Sequence, residues 1–239
     1  MFSRYDRDRL IEVINRYLNE ELTAFRLDEA LSEIGIKTKD KTVDQVIQLL
    51  WCHYDDVEDH KVVATKEEWD YFQRLLLILK SDAEIVQETG QRKWTARQAV
   101  AVVCLALFGL AVAETGFGYH LIWVTVPLGI VSMLLSHWRS SDEAHRLRDQ
   151  IALMPFGSVS ELLSLRRKVR NFAKARYPVR LGSRQIRGPV SAAAMWLHFG
   201  VVWLVFSPVA LAFQMLPEPE HRWRVSGQHA HDEAARPCA

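Results

Sequence analysis

Residues 99–138 form the most apolar stretch of the chain and limit what it can fold into. Two apolar runs are joined by a few small and aromatic residues, and Glu114 is the one formally charged side chain in the stretch. About 20 apolar residues in a helix cross the roughly 30 Å hydrocarbon core of a bilayer. Because unpaired backbone amides are costly in lipid, each run must be helical. The stretch therefore predicts a transmembrane hairpin within residues 91–138.

The positions of Lys and Arg predict the orientation of this hairpin. The turn at 114–120 contains neither residue type, whereas both flanks are basic through Arg92, Lys93, Arg97, Arg139, Arg146 and Arg148. The positive-inside rule therefore places both flanks in the cytoplasm, at a bacterial-type inner membrane. A third apolar run at 189–216 contains Pro208 and is long enough to span. We predict three transmembrane helices, with the N-terminus cytoplasmic and the C-terminus outside. In the alternative, a re-entrant third run returns the tail to the cytoplasm.

Residues 1–90 have the periodicity of a small helical domain. Apolar residues recur at helical spacing in four stretches, within 6–22, 26–35, 41–54 and 67–80. The last stretch is apolar almost all round, which is typical of a central or partner-facing helix. Thr42 with Gln45, and Thr65 with Glu68, have the spacing of capping boxes. The sequence thus predicts an all-α integral membrane protein, whose cytosolic domain is joined to the membrane by a polar linker at 81–93.

Charged residues are distributed unevenly along the chain, although its net charge is only +1. Residues 1–90 carry 12 basic and 20 acidic side chains, whereas residues 139–188 carry 12 basic and 4 acidic ones. Apolar spacing predicts an amphipathic helix over 158–177, ended by Pro178. Its basic residues are Arg166, Arg167, Lys168, Arg170, Lys174 and Arg176.

This basic helix has two functional interpretations. It can be a positive-inside segment that sets the topology, with its helix lying on the membrane surface in contact with anionic lipid, which is the interpretation we favour. Alternatively, it can dock on the acidic N-terminal domain, because both are predicted on the same side of the membrane. Nucleic-acid binding is not expected, since no accompanying fold motif is present.

A cluster of acids and histidines follows the third predicted helix. His53, Asp56 and His60 would share one face if that helix continued, and two imidazoles with a carboxylate are a metal-ligand set. However, His53 and His60 would then be about 10 Å apart along the helix, which is too far for one ion without a bend. The same residues also fit a solvated acidic loop, and we favour that interpretation.

Two polar residues lie in the predicted spans. Glu114 stands at the outer end of the first span and can reach the headgroups. His198 lies two to three turns into the third span and needs a partner, for which Glu114, Thr125 or Ser132 are candidates by residue type. An ion or proton pathway is one interpretation, and packing between helices is the more common one.

The remaining features bound the function without identifying it. The tail at 217–239 is polar and predicted to be disordered. Cys52, Cys104 and Cys238 fall in different predicted compartments, which disfavours a disulfide. No nucleophile motif or phosphate-binding loop is found, and no cofactor is indicated.

Three functions therefore stay open. The first is a non-enzymatic membrane protein whose cytosolic domain recruits or regulates a protein partner. The second is a channel or transporter formed by self-association. The third, which we rank last, is a metal-dependent membrane enzyme that uses the cluster from His53 to His60.

Overall fold

The computed structural model describes residues 2–51, 53–55, 57–90, 94–151, 153–217 and 221–226. Within these residues the chain forms nine α-helices and one two-stranded sheet, so it is predominantly helical. The helices are α1 (Arg4–Leu18), α2 (Ala24–Lys37), α3 (Lys41–Trp51), α4 (Lys66–Lys80), α5 (Ala96–Thr115), α6 (Ile122–Ile151), α7 (Val159–Lys168), α8 (Pro189–Val205) and α9 (Ser207–Gln214). The strands are β1 (Glu84–Thr89) and β2 (His221–Ser226).

The chain folds into two compact units that do not follow the order of the sequence. The first, here called the polar unit, combines residues 1–88 with 149–186 and the tail from 222. The second, the apolar unit, combines residues 89–148 with 187–221. The sequence had predicted consecutive segments bounded at 90, 138, 188 and 216. The chain instead leaves the polar unit twice and returns to it twice.

Helices α1 to α4 form where the apolar spacing predicts them. Leu10, Ile14 and Tyr17 are fully buried along one face of α1. Helix α4 buries nine of its fifteen side chains, as expected of a central helix. The capping box of Thr65 and Glu68 is confirmed at its first turn.

Helix α3 begins differently from the sequence prediction. It starts at Lys41, so Thr42 already lies inside it and does not cap it. The carboxylate of Asp40 accepts from the Thr42 amide at 2.9 Å and takes the capping role. The side chain of Thr42 points elsewhere and accepts from the amide of Ile85 at 3.3 Å.

A buried ion pair between Arg7 and Asp40 connects the ends of several elements of the polar unit. Arg7 is fully buried and donates through Nε to Asp40 Oδ2 at 2.8 Å. Its Nη1 donates to the carbonyls of Ser81 and Ala83, both at 2.8 Å. Burial disfavours a charged Asp40, but hydrogen bonds from Arg7, the Ser3 amide and the Thr42 amide prevail and lower the pKa of Asp40.

Residues after α6 complete the core of the polar unit. Phe156, Leu165 and Leu181 are buried in the same apolar cluster as the side chains of α1 to α4. The sequence predicted one helix over 158–177, but α7 ends at Lys168 and the chain is not helical from 169 to 178. Arg170, Lys174 and Arg176 therefore lie outside the helix.

The contacts of this non-helical stretch with α4 explain where α7 ends. Trp69 Nε1 donates to the Ala175 carbonyl at 3.0 Å, and the Ala175 amide donates to Gln73 Oε1 at 3.0 Å. A helix continuing to residue 177 would use the Ala175 amide internally, so the bond to Gln73 replaces a bond of the predicted helix. Tyr177 adds a third bond, from its hydroxyl to the Ala64 carbonyl at 3.0 Å.

The two strands differ from the predicted linker and tail. Strand β1 lies in the stretch predicted as a polar linker, and it pairs with β2 from the stretch predicted as a disordered tail. Ile85 is buried in the core of the polar unit, and Val225 packs against that core. The fold described is thus predominantly helical, as the sequence predicts, with one small sheet that the sequence did not predict. The rest of the predicted disorder, at 218–220 and 227–239, lies outside the described residues.

The apolar unit contains two helices long and apolar enough to cross a membrane. They are residues 96–115 and residues 119–141, joined at Gly116, whose φ of 70° suits glycine. The third apolar run is not one straight helix. Helices α8 and α9 are bent by 79° where they meet, and Phe206 alone separates them. Pro208 follows the bend and lacks the amide that a continuous helix would use.

Candidate functional site

The loop that carries the predicted metal ligands is built against the start of α2. The Ala24 amide donates to the His60 carbonyl at 2.8 Å, and the Phe25 amide donates to Asp59 Oδ1 at 3.1 Å. One turn further along α2, Asp28 Oδ1 accepts from the Tyr54 hydroxyl at 2.7 Å. The loop and the first turns of α2 therefore share one surface.

Three large apolar side chains are exposed in this loop and in the helices next to it. Trp51 is 62% exposed at the end of α3, Val57 is 71% exposed in the loop, and Phe25 is 41% exposed. Residues 53–60 contain four acids and no Lys or Arg. We call the set of Phe25, Trp51, Val57, Asp28, Asp55 and Asp59 the acidic-aromatic surface. The sequence drew attention to its acids but not to Trp51 and Phe25, which belong to neither of the apolar faces predicted for α2 and α3.

The histidines of the predicted metal site have other partners. His60 Nε2 accepts from the Asp55 amide at 3.1 Å, and its Nδ1 lies 2.7 Å from the Lys61 carbonyl. Both ring nitrogens of His60 are thus engaged with backbone groups, which leaves neither of them available as a metal ligand. Asp56, the third predicted ligand, lies outside the described residues.

His53 is held by aromatic packing. Its ring centroid is 4.6 Å from that of Tyr71 and 5.7 Å from that of Phe72. Burial lowers the pKa of His53, and the Glu68 carboxylate, 4.0 Å away, opposes this only partly. Among the described residues, no group of three His, Cys, Asp or Glu side chains is arranged to hold a metal ion.

The six basic residues predicted to bind lipid are all exposed. Lys174 Nζ pairs with Asp70 at 2.7 Å. On α7, Leu162 and Leu165 face the core of the polar unit, whereas Val159 and Leu163 are about half exposed. Val159, Leu163, Arg166 and Arg167 share the outward side of the helix, which we call the outer face of α7.

Two further basic residues, absent from that prediction, form a clamp. Arg180 and Arg184 each approach a different oxygen of Glu20 at 2.9 Å. The hydrogen bond from Arg184 is the main cause that lowers the pKa of Glu20, and the charge of Arg180 adds to it. Glu20 itself has a φ of 65°, in a region that non-glycine residues rarely adopt. Sequence analysis had no local signal for this clamp, since its residues are more than 150 positions apart.

Glu114 and His198 are both exposed at the surface of the apolar unit. The ring of His198 lies 5.8 Å from that of Phe199, its neighbour in α8. Thr125 and Ser132, named as candidate partners of His198, bond to other residues instead. The Thr125 carbonyl accepts from the Ser207 hydroxyl at 2.8 Å.

Ser132 is the centre of a polar cluster that sequence analysis missed, here called the Ser132 cluster. The fully buried Ser132 hydroxyl accepts from Trp203 Nε1 and donates to Gln214 Oε1, both at 3.1 Å. Gln214 Nε2 in turn donates to the Ser132 carbonyl at 3.0 Å. Its members use each other as partners, so the cluster joins helices instead of exposing groups to a ligand. A glutamine at the end of an apolar run was the available signal.

Searches of family models, curated proteins and solved structures found no match to this chain. The site residues must therefore be interpreted from their own chemistry. In the described residues, exposed apolar and charged surfaces suited to binding are more evident than any catalytic arrangement of side chains.

Proposed function

We propose that this protein is an integral protein of a bacterial-type inner membrane whose polar unit recruits or regulates a partner protein at the cytoplasmic face. The apolar unit supplies the anchor. The observation that carries the proposal is the acidic-aromatic surface, where Trp51, Val57 and Phe25 are exposed among carboxylates. The cytoplasmic orientation rests on the basic flanks of the hairpin.

The chemistry of this surface favours a basic protein segment as the partner. Exposed Trp and Phe are typical of the residues that dominate protein interfaces. Carboxylates around them attract Lys and Arg, and an Arg guanidinium also binds well over a Trp ring. The same carboxylates would be repelled by an anionic inner leaflet, so a lipid surface is the poorer occupant.

The outer face of α7 is the better place for lipid. It combines two exposed apolar side chains with Arg166 and Arg167, and Lys168 and Arg170 follow within four residues. Near an anionic surface each basic residue contributes about 1 kcal/mol. We propose that this face contacts anionic headgroups while the acidic-aromatic surface stays free for the partner.

Site-specific photo-crosslinking in cells tests the recruitment. A photoreactive phenylalanine analogue replaces Trp51, and the matched control places it at Tyr5, which is 75% exposed on α1. We expect a discrete protein adduct from position 51 only. The crosslinked partner peptide should be rich in Lys and Arg, because the surface is acidic.

A charge variant separates specific binding from chance proximity. Val57→Lys adds a cation to the acidic-aromatic surface at a side chain that is 71% exposed, and it should abolish the adduct. Ile36→Lys, at an 84% exposed position on α2, should leave the adduct intact. Equal adducts from positions 51 and 5, lipid adducts alone, or an adduct that survives Val57→Lys would each contradict the proposal.

A further inference from the structure

The third apolar run turns by 79° between α8 and α9, inside the apolar unit. Leu204 of α8 lies so close to Gly129 of α6 that a Cβ there would be 2.9 Å from the Leu204 Cα. Further along, Ser207 bonds to the carbonyl of Thr125 at 2.8 Å. The chain thus moves along α6 towards the turn at 116–118, which joins α5 to α6.

After the bend, the end of α9 reaches the level of α6 that α8 contacted before the bend. Gln214, at the end of α9, bonds to Ser132, to which Trp203 of α8 is also bonded. Ser132 lies seven residues beyond Thr125, which is about 10 Å along a helix. Trp203 before the bend and Gln214 after it therefore contact α6 at the same height, at Ser132. The bend itself lies nearer to the turn at 116–118.

The environment of α9 suits a chain that turns within a bilayer. Leu211 is fully buried in a cluster with Ala101 of α5 and with Leu128 and Leu135 of α6. At the bend, the amides of Val209 and Ala210 both donate to the Phe206 carbonyl at 3.0 Å, and Ser207 is fully buried. Non-helical backbone at membrane depth is tolerated where its polar groups are satisfied within the protein, as those of Phe206 are here.

The composition of the polar unit gives the same topology by an independent route. Strand β1 precedes the first apolar helix, residues 149–186 follow the second, and β2 follows the third apolar run. These three pieces share one core, since Ile85, Leu165 and Leu181 belong to it and Val225 packs against it. A unit with a single core can lie on only one side of a membrane.

We infer that α8 and α9 form a re-entrant hairpin, so that the chain crosses the membrane twice and its C-terminal tail lies on the same side as its N-terminus. This replaces the three-span topology with an outside C-terminus that the sequence alone predicted. It does not depend on the recruitment of a partner.

Thiol labelling tests the inference in the full chain. Cys52→Ser and Cys104→Ala leave Cys238, twelve residues after β2, as the single thiol. In a background without cysteines, Tyr5→Cys marks the N-terminal side, and Phe117→Cys marks the turn of the hairpin, where Phe117 is 87% exposed. Each variant is treated with a membrane-impermeant maleimide, once in spheroplasts and once in inverted vesicles, and its labelling is measured.

We expect Cys238 to follow Tyr5→Cys and to oppose Phe117→Cys in both preparations. A Cys238 that labels together with Phe117→Cys would overturn the inference. Should the cysteine variants express poorly, the wild-type chain with fluorescent protein or alkaline phosphatase at its C-terminus gives a second measurement. Fluorescence without phosphatase activity supports a cytoplasmic tail, and the reverse result contradicts it.

Discussion

At the scale of single residues, the polar unit depends on a pair that periodicity alone cannot distinguish from surface charge. Arg7 lies on the same helical face as Leu10 and Ile14, three and seven positions later, and that spacing was the one available signal. Its carboxylate partner is 33 positions away. A local pattern does not specify such a contact, which explains why the sequence did not predict it.

Removing the carboxylate of this pair should strongly destabilise the polar unit. Asp40→Asn leaves the fully buried Arg7 uncompensated, which typically costs about 3–5 kcal/mol. Asp8→Asn is the matched control, because Asp8 pairs with Arg4 at an exposed position and such pairs contribute less than about 1 kcal/mol. Thermal unfolding in detergent measures both variants. Equal melting temperatures for the two would contradict the importance of the buried pair.

The same carboxylate should make stability depend on acid pH. The pKa of Asp40 is lower in the folded protein than in the unfolded chain, so the folded state binds fewer protons. Its contribution is present above the unfolded pKa of about 3.9 and is lost as pH falls through the folded pKa. We expect the melting temperature of wild type to fall more steeply below about pH 4 than that of Asp40→Asn. Parallel pH profiles would contradict this assignment.

Glu20 allows backbone strain and ion pairing to be separated. Glu20→Ala removes the partner of Arg180 and Arg184 and keeps a side chain at a φ of 65°. Glu20→Gly removes the same partner but relieves the backbone, since glycine adopts positive φ readily. We expect both variants to melt below wild type, with Glu20→Gly above Glu20→Ala. The reverse order would show that the backbone at this turn is unstrained.

At the scale of elements, periodicity predicted helices well and their ends poorly. The four helices of 1–90 and the two helices of the hairpin form where apolar spacing places them. Helix α7 ends nine residues before the predicted stop at residue 177. Its predicted end relied on Pro178, but backbone bonds to Trp69 and Gln73 hold residue 175 in a non-helical chain. Helix ends that depend on tertiary partners are not encoded locally.

Hydrogen exchange can test the contact that ends α7. In Gln73→Leu, the Ala175 amide loses the acceptor that lies 3.0 Å away, so peptides covering 170–178 should exchange faster. Gln48→Leu is the control, because Gln48 bonds to Asp44 on the exposed side of α3. Exchange of 170–178 that is unchanged by Gln73→Leu would contradict the contact.

The approach of α6 to α8 predicts opposite tolerance at two glycines. A Cβ at Gly129 would meet Leu204 Cδ2 at 2.7 Å and its Cα at 2.9 Å, whereas at Gly109 of α5 it meets nothing within 4 Å. We expect Gly129→Ala to destabilise the apolar unit by about 1–3 kcal/mol, as overpacking commonly does. Gly109→Ala should melt at or above the wild-type temperature, because alanine favours the helix. Thermal unfolding in detergent that ranks the two variants the other way would contradict this packing.

At the scale of the whole molecule, the sequence showed which segments are acidic, basic or apolar but not how these segments pack together. The charges of 1–90 and 139–188 indicated two interpretations of the basic segment, membrane contact and docking on the acidic domain. In the structure, residues 153–184 pack within the polar unit, and Lys174, Arg180 and Arg184 pair with its acids. Packing leaves the outer face of α7 exposed, so lipid contact stays a prediction.

The sequence could not predict the pairing of β1 with β2, for a related reason. The strands are about 130 positions apart, and each is only six residues long. Short strands at such separation leave no periodic signal that links them. Their pairing nevertheless has the largest consequence for topology, because it brings the tail back to the unit that the N-terminus begins.

The central claim is that residues before the first apolar helix and residues after the second form one folded unit. The most direct measurement places Asp70→Cys and Lys174→Cys, at positions whose native side chains form an ion pair, in a chain without other cysteines and links the two thiols with a flexible bifunctional reagent. A protease site inserted at Phe117, in the exposed turn of the hairpin, then cuts the chain between them. After crosslinking and cleavage, we predict that the two fragments stay joined in the double variant and separate in each single variant. Fragments of the double variant that separate under the same conditions would contradict the single polar unit and the topology inferred from it.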